Sequence, residues 1–248
     1  PSPYNPLINA MNGYVSGAGI YKLMMLVGLD GDVLAVNSSD LTGERLNTSG
    51  LYRKNMRDQK WFQNAAGGNF LVGKAGMTGT AVTPPHHEEL VKEAYGAGDD
   101  GYVMAFSAPV YNQQKEVVAV WVNFADFNLV EVIVDLAYQE FAESGVPSAE
   151  ITLLDPDGKV IVDYDPHASG DKGIEGYKRN QDVIGKFDLA AVLPAAKLAI
   201  EGNTGTMIAI HSRKEIEQAV GYAKSKGMYD YPGLGWSTLV RAPIDEAY

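Results

Sequence analysis

Residues 20–37 read IYKLMMLVGLDGDVLAVN, with two apolar runs on either side of an Asp-Gly pair. Asp-Gly between two strand-like runs is typical of a β-hairpin, because glycine readily adopts the positive φ that a tight hairpin turn needs. The second half of the chain repeats this pattern, since residues 151–163 read ITLLDPDGKVIVD around an Asp-Pro-Asp-Gly turn. The sequence therefore predicts two modules, each beginning with a hairpin.

More strand-like segments follow each hairpin. Rich in β-branched and aromatic residues, they cover residues 101–111, 116–124, 205–211, 218–223 and 236–241. A hairpin with further strands behind it in each half indicates two antiparallel sheets.

Helical periodicity separates the strand-rich blocks. Residues 128–143 place a set of apolar side chains on one helical face, namely Leu129, Val132, Ile133, Leu136 and Ala137. A second helix is predicted over 188–200, with Asp188 as its N-cap and Gly202 just beyond its end. Residues 5–16 are expected to be the stub of a longer helix.

These elements describe an α+β protein with two modules in tandem. Gly145 and Pro147 disfavour continuation of the helix before them, so the boundary is predicted there. The expected domains are an N-terminal helix stub over 1–19, a first module over 20–145 and a second over 146–248.

Composition excludes several classes of protein. The chain has 248 residues, of which 46% are hydrophobic and 21% charged, which is typical of a folded soluble body. Its net charge of −11 disfavours binding to nucleic acid or to anionic lipid. With no Cys, disulfides, thiolate zinc sites, iron–sulfur clusters and cysteine nucleophiles are excluded. Because the chain opens without Met and stops just after a strand-like stretch, we expect it to be an excised fragment.

Motifs for enzyme chemistry are missing. No Gly-x-Gly-x-x-Gly phosphate loop or Gly-x-Ser-x-Gly nucleophile elbow occurs. The run from His86 to Glu89 lacks the spacing of zinc ligands and is expected to be a solvated loop or helix start after Pro84-Pro85. The Asp-Pro-Asp-Gly stretch at 155–158 lacks the further oxygen ligands of a calcium loop and is explained by a turn.

Residues 51–65, LYRKNMRDQKWFQNA, are the more informative stretch for function. Trp61 and Phe62 stand there among polar side chains, a mixture that suits a small-ligand site but equally a helix that packs two aromatic rings onto a sheet. Asn123 lies inside an apolar strand, where its amide must find partners in the core or point into a pocket.

These segments together resemble the double Cache family, the extracytoplasmic sensor domains of bacterial chemoreceptors and some membrane histidine kinases. The resemblance covers nearly the whole chain. It rests on the Asp-Gly turn within residues 29–37, the Trp61-Phe62 pair, the segments 107–111 and 117–129, LDPDGKVIVD from Leu154 and YPGLGWSTLVRAPIDEAY from Tyr231. It implies a long N-terminal helix followed by a membrane-distal and a membrane-proximal PAS-like module, with the ligand in the distal one.

The resemblance also implies where the ligand is held. Amino-acid receptors of the family carry an Arg two positions before the Trp, which clamps the ligand carboxylate, and an Asp in the last distal strand for its ammonium group. Here these positions are Gln59 and Asn123, although Arg57 lies close enough to restore the clamp after a local shift. An amide neither neutralises a carboxylate nor balances an ammonium. A neutral amide-like or nucleobase-like solute is therefore expected ahead of an amino acid.

We accordingly expect an extracytoplasmic, periplasmic sensor domain of a membrane chemoreceptor. It would bind a small molecule but no nucleic acid, be anchored by flanking helices absent from this chain, and form a weak homodimer in the intact receptor. No catalytic residue, metal or cofactor is expected. The alternatives are the same module on a histidine kinase, a soluble enzyme, or a structural extracellular module. The expected pocket is lined by Trp61, Phe62, Gln59 and Asn123, with Arg57, Tyr95 and Ser107 as neighbours.

The second module is expected to be a structural relay without a ligand of its own. Lys159, Tyr164, Asp165 and His167 surround its hairpin without a convergent apolar set. Its Gly-Leu-Gly-Trp segment at 233–236 is expected to close the sheet, with Trp236 buried and the glycines forming a tight turn.

Overall fold

Two units make up the chain, Pro1–Asn128 and Leu129–Tyr248. The computed structural model describes residues 5–169, 179–211 and 214–247 of them. The first unit contains, in chain order, α1 (Pro6–Ala18), β1 (Tyr21–Gly28), β2 (Val33–Val36), a 3-10 turn (Leu51–Arg53), α2 (Lys60–Ala66), β3 (Val72–Gly73), β4 (Gly76–Met77), β5 (Ala81–His87), α3 (Glu89–Tyr95), β6 (Tyr102–Tyr111) and β7 (Val117–Asp126).

The first sheet is five-stranded and antiparallel, in the order β2-β1-β7-β6-β5. One face, which we call the core face, carries alternate residues of each strand, such as Met25 of β1, Val122 and Phe124 of β7, and Ala105 of β6. Helices α2 and α3 supply Trp61, Phe62 and Leu90 to the same hydrophobic cluster. The strands thus place every second side chain under these helices.

Helix α1 packs on the opposite face of this sheet. Asn5 caps it by accepting a hydrogen bond from the Leu7 backbone N–H at 3.0 Å, and Gly19 ends it with a φ of 65°. Met11 and Val15 of the helix are fully buried in a cluster that includes Met24. The predicted N-terminal helix is therefore present, and in the described part of the chain it belongs to the first unit.

The second unit has the same architecture. It contains α4 (Asn128–Glu143), β8 (Glu150–Leu154), β9 (Val160–Tyr164), α5 (Pro166–Ser169), α6 (Pro194–Ile200), β10 (Gly205–Ile210), β11 (Glu217–Lys224), β12 (Ser237–Pro243) and α7 (Ile244–Ala247). Its antiparallel sheet has the order β9-β8-β12-β11-β10, which repeats the order of the first sheet strand for strand. This repetition confirms the predicted α+β tandem.

The division between the units lies earlier than the predicted boundary between residues 145 and 146. Helix α4 groups with the second unit after its first residue, because its side chains pack there. The Tyr138 ring lies 4.9 Å from that of Tyr164, and the Tyr164 hydroxyl donates to Asp135 at 2.8 Å. Tertiary packing, and not the helix-breaking residues, therefore decides where the units divide.

The predicted apolar face of α4 is not its buried face. Leu129, Ile133 and Leu136 are exposed, whereas Glu131 and Asp135 are buried. The acidic residues tolerate burial because Glu131 receives two hydrogen bonds from the Arg179 guanidinium at 2.6 and 2.8 Å, and Asp135 receives that of Tyr164.

Two further expectations for the second unit need correction. The helix predicted over 188–200 begins only at Pro194, and Asp188 instead accepts a hydrogen bond from the Ala191 backbone in the preceding turn. Trp236 is only partly buried, although Gly233 and Gly235 have the predicted turn conformation, with φ values of 76° and 70°. The strand that follows turns Ser237 and Leu239 into the core instead.

Candidate functional site

Helix α2 fixes the central side chain of the candidate site. Trp61 is 1% exposed and packs edge-on against the rings of Phe62 and Phe124, with centroids 6.1 and 5.8 Å away. Its backbone carbonyl accepts a hydrogen bond from the buried Ser107 hydroxyl of β6 at 2.8 Å. Trp61 is therefore held both through its ring and through its backbone.

A cavity of about 550 Å³ opens beside this tryptophan, and we call it the Trp61 cavity. It is lined by residues 58–61, where α2 begins, and by residues 83–89, which run from the end of β5 into α3. A volume of this size falls within the roughly 300–1,000 Å³ that small-molecule sites occupy.

Two polar atoms of the lining residues are buried without a hydrogen-bond partner. They are the Trp61 indole Nε1 and the Thr83 hydroxyl Oγ1. The indole nitrogen can only donate, and the hydroxyl can donate as well. Because buried polar groups are nearly always paired in folded proteins, two unpaired atoms on residues that line one cavity indicate a missing acceptor.

A hydrogen-bonded glutamate–histidine pair lies on the other wall of the cavity. Glu88 is 6% exposed and caps α3 by accepting from the Leu90 backbone N–H at 3.1 Å, while its second oxygen lies 3.4 Å from His86 Nε2. Burial alone would lower the pKa of His86, but the hydrogen bonds to Glu88 and to the Pro84 carbonyl outweigh it and raise that pKa. Both oxygens of Glu88 are thus already engaged.

The structure brings only part of the expected site together. Trp61 and the half-buried Gln59 line the Trp61 cavity, and Ser107 supports Trp61 from behind. Phe62 is 5% exposed and belongs to the hydrophobic core next to the cavity. A ligand-binding role for these residues stays a prediction.

Asn123 lies elsewhere, which corrects the expectation of one shared pocket. It alternates along β7 with Val122 and Phe124, whose side chains point to the core face, so its own amide lies on the face that carries α1. There its Oδ1 accepts a hydrogen bond from the Trp121 indole at 2.7 Å, and Trp121 packs against the α1 cluster. The amide is therefore satisfied within the fold, on the opposite side of the sheet from Trp61.

Arg57 and Tyr95 also lie outside the Trp61 cavity. Arg57 is exposed, and its Nε donates to the Leu29 carbonyl at 3.4 Å. The Tyr95 hydroxyl donates to the Lys22 carbonyl at 3.0 Å, and the Lys22 ammonium lies 5.3 Å from the ring centre. The pKa of Tyr95 is raised, mainly by burial and also by nearby carboxylates such as that of Asp40. These contacts give both residues structural roles.

Sequence reasoning missed the wall formed by Thr83, His86 and Glu88. The run from His86 to Glu89 was expected to be a loop or helix start, and α3 does begin at Glu89 with Glu88 as its N-cap, but the residues through His87 form the edge strand β5. Its two prolines fall where the pairing with β6 shifts register, which is where an edge strand tolerates them. The signal that could have found this wall is the density of polar side chains around Pro84-Pro85.

The second unit holds a buried charged cluster centred on Glu150, which is 1% exposed. Its oxygens lie 3.1 Å from His211 Nε2, 2.7 Å from Lys214 Nζ and 3.1 Å from Arg241 Nη2. Burial alone would raise the pKa of Glu150, but the hydrogen bond from His211 and the charges of Arg241 and Lys214 lower it to about 2. Gln218 adds a hydrogen bond at 3.1 Å. The relay role predicted for this unit stays a prediction.

Among residues 5–169, 179–211 and 214–247, no group of three or more acidic, His or Cys side chains is arranged to hold a metal ion. None of the helices described there has both the length and the apolar composition needed to cross a bilayer.

No protein-family model matches the sequence, and neither does any curated protein sequence. Solved structures do match the fold. The ligand-binding domain of the Pseudomonas aeruginosa amino acid chemoreceptor PctB, in complex with L-Arg, has a TM-score of 0.59 at 18% identity, over 100% of this chain and 81% of that one.

The periplasmic sensory domain of the Campylobacter jejuni chemoreceptor Tlp1 has a TM-score of 0.59 at 13% identity, and the match covers 99% of this chain and 80% of that one. The extracellular domain of the histidine kinase rpHK1S-Z16 has a TM-score of 0.56 at 12% identity, and the match covers 100% of this chain and 80% of that one. These similar proteins are sensor or ligand-binding domains and not enzymes. The chain therefore has the fold of extracytoplasmic sensor domains, as its resemblance to the double Cache family predicted.

Proposed function

We propose that this chain is the extracytoplasmic ligand-binding domain of a membrane chemoreceptor, and that the Trp61 cavity of its first unit binds a small polar solute. The observation that carries the proposal is a pair of buried, unpaired atoms, Trp61 Nε1 and Thr83 Oγ1, on two residues that line that cavity. Leaving such groups unpaired costs about 1–3 kcal/mol each, which a ligand oxygen placed between them would recover.

The charges around the cavity favour an uncharged solute with carbonyl acceptors, such as an amide or a nucleobase. An ammonium group would need a buried carboxylate, but both oxygens of Glu88 are occupied, and Asp58 and Glu89 are exposed. The half-buried Gln59 amide has no side-chain hydrogen bond within the described residues, and it offers both a donor and an acceptor. Gln59 can therefore form hydrogen bonds with both the acceptor and the donor groups of such a solute.

Ligand binding would connect two elements of the first unit. Trp61 belongs to α2 and Thr83 to β5, so a solute that accepts from both joins the helix to the edge strand. Only contacts that differ between two conformations can shift their populations, and this bridge exists in the occupied state alone. We propose that the bridge is the first step of signalling.

The same domain on a histidine kinase is the second candidate, because the extracellular domain of such a kinase shares the fold. The sequence that follows this domain in the full-length protein distinguishes the two, since the kinase needs a catalytic domain and the chemoreceptor a methyl-accepting one. The binding proposal is the same for both.

A thermal-shift screen of neutral amides, nucleobases, amino acids, organic acids and amines tests the proposal. A ligand at about a hundred times its Kd stabilises the protein by about 2.7 kcal/mol. We expect a shift with at least one carbonyl-bearing neutral solute. A folded protein that responds to none of these solutes would refute the sensor proposal.

Thr83→Val then tests the site by calorimetry. Valine has the shape of threonine without the unpaired hydroxyl, so the unliganded variant should be at least as stable as wild type. The solute identified in the thermal-shift screen should bind to it roughly 5- to 150-fold more weakly. Thr206→Val, an exposed threonine of the second unit, is the matched control and should bind like wild type. Unchanged affinity in Thr83→Val would place the ligand elsewhere.

A further inference from the structure

We propose that the first unit has a second binding site, for a small carboxylate with an apolar body, in a cavity between α1, β2 and the 3-10 turn. This cavity has a volume of about 1010 Å³ and is lined by Ile8, Val36, Ser38, residues 45–49, Tyr52 and Arg53. We call it the arginine cavity. It shares no lining residue with the Trp61 cavity, and the proposal does not depend on that site.

Two unpaired guanidinium groups give the arginine cavity its charge. Arg45 and Arg53 have no ion pair or side-chain hydrogen bond with any residue in the described part of the chain. Among the described residues, no carboxylate side chain lines the cavity, although the protein carries a net charge of −11. An excess of positive charge on one concave surface of an acidic protein attracts anions selectively to that place.

The backbone that carries both arginines is anchored. Arg45 forms an isolated bridge with Ser39, and the Arg53 N–H donates to the Gly50 carbonyl at 3.1 Å in the 3-10 turn. Both side chains therefore start from fixed points on the cavity rim. Their guanidinium groups suit a carboxylate, whose two oxygens they can share.

A mostly buried threonine in the cavity wall supplies an independent observation. Thr48 is 7% exposed, and its hydroxyl has no hydrogen bond to any described residue. Its backbone carbonyl, by contrast, accepts from the Leu51 N–H at 3.1 Å, which holds the residue in place. An unpaired donor on a residue that lines the same cavity as the two arginines fits the oxygen atoms of an anion.

The rest of the lining suits an apolar body. Val36 and Leu46 are buried with 0% and 8% exposure, and Tyr52 is half-buried against the same core. The Tyr52 hydroxyl forms a hydrogen bond with the backbone of Val36, but burial outweighs it and raises the pKa of this tyrosine, so its ring presents an uncharged surface. The cavity thus combines apolar walls with a cationic rim, which matches an aromatic or aliphatic carboxylate better than an inorganic anion.

Fluorine NMR with two probes of equal shape tests this site. We expect 4-fluorobenzoate to bind, and the uncharged 4-fluorobenzamide to bind at least about tenfold more weakly, because only the first carries the charge that the arginines complement. Binding of the benzoate should also weaken as salt is raised, since exposed charges are screened. Equal binding of the two probes, or no binding of the benzoate, would overturn the proposal.

Charge variants locate the probe. Arg45→Gln and Arg53→Gln should each weaken 4-fluorobenzoate roughly three- to tenfold, while the melting temperature stays unchanged because both side chains are exposed. Lys74→Gln removes an exposed cation that lies outside both cavities and should have no effect. If the loss occurred with Lys74→Gln as well, or with Thr83→Val in place of the arginine variants, the site proposed here would be wrong.

Discussion

Replacing Glu150 by Gln should make the second unit less stable at neutral pH and less sensitive to acid. The buried Glu150 carboxylate lies 2.7 to 3.1 Å from the side chains of His211, Lys214 and Arg241. Glutamine keeps the shape but removes the charge, so the buried Arg241 loses its main partner. Breaking a buried ion pair on one side typically costs about 3–5 kcal/mol.

The pKa of Glu150 gives an independent magnitude and the sign. A pKa that falls from 4.5 in the unfolded chain to about 2 in the folded one corresponds to about 3 kcal/mol of stability. Because the folded value is the lower one, this stability is present above pH 4.5 and is lost as the pH falls towards 2. By pH 3 roughly 2 kcal/mol of it should be gone.

Urea unfolding followed by hydrogen–deuterium exchange measures the free energy of unfolding of each unit separately. Peptides from β8 and β12 report on the second unit, and those from β6 and β7 serve as the reference. At pH 7 the Glu150→Gln protein should be less stable than wild type by about 3 kcal/mol, and at pH 3 by only about 1 kcal/mol.

Glu217→Gln is the matched control for that experiment. Glu217 is an exposed carboxylate on β11 of the same sheet, and its loss should change stability by less than about 0.5 kcal/mol at either pH. A difference between Glu150→Gln and wild type that is the same at pH 7 and pH 3 would refute the reasoning, since the buried carboxylate would then contribute nothing through its charge.

Three other perturbations give defined outcomes. The raised pKa of His86 means that its contribution to stability is present below pH 6.5 and is lost as the pH rises through the folded value, so His86→Gln should flatten the melting temperature between pH 6 and 8. Ser107→Ala removes a buried hydrogen bond to the backbone of α2 and should lower the free energy of unfolding by about 1–2 kcal/mol in urea titrations. Gly31 and Gly43 have φ values of 89° and 88°, so alanine is strained at both, but only at Gly31 would its Cβ meet the hydrogen-bonded Asn55 amide, at 2.3 Å. Gly31→Ala should therefore lower the free energy of unfolding by about 1–3 kcal/mol more than Gly43→Ala does. Equal losses would show that the Asn55 side chain can move away from the new Cβ at no cost.

Local chemistry made much of the fold predictable. The Asp-Gly and Asp-Pro-Asp-Gly turns specify their hairpins over a few neighbouring residues, and α4 has the predicted limits, 128–143. Such signals act within one turn or one helix, so they do not depend on the rest of the chain. The repetition of these signals is what predicted the tandem.

Only part of the candidate site could be read in the same way. Trp61 was identified because it stands with Phe62 among polar residues, and Gln59 because the resemblance to the double Cache family places a ligand-binding residue at its position. Thr83 and His86 reach the same cavity through β5, whose pairing with β6 joins residues distant in sequence. Asn123 was assigned to the wrong side of the sheet, because alternation shows which residues share a face but not which face the helices α2 and α3 cover.

The sequence by itself determined the two hairpins, the strands that follow them in each half and the tandem of two α+β modules, because each follows from the conformational preferences of adjacent residues; it did not reveal the edge strand β5. Tertiary structure alone decided which surfaces are buried. Glu131 and Asp135 of α4 face inward, and its leucines outward, because Arg179 and Tyr164 supply hydrogen bonds from far along the chain. Burial depends on the partners that the fold brings to a residue, and no local pattern contains that information.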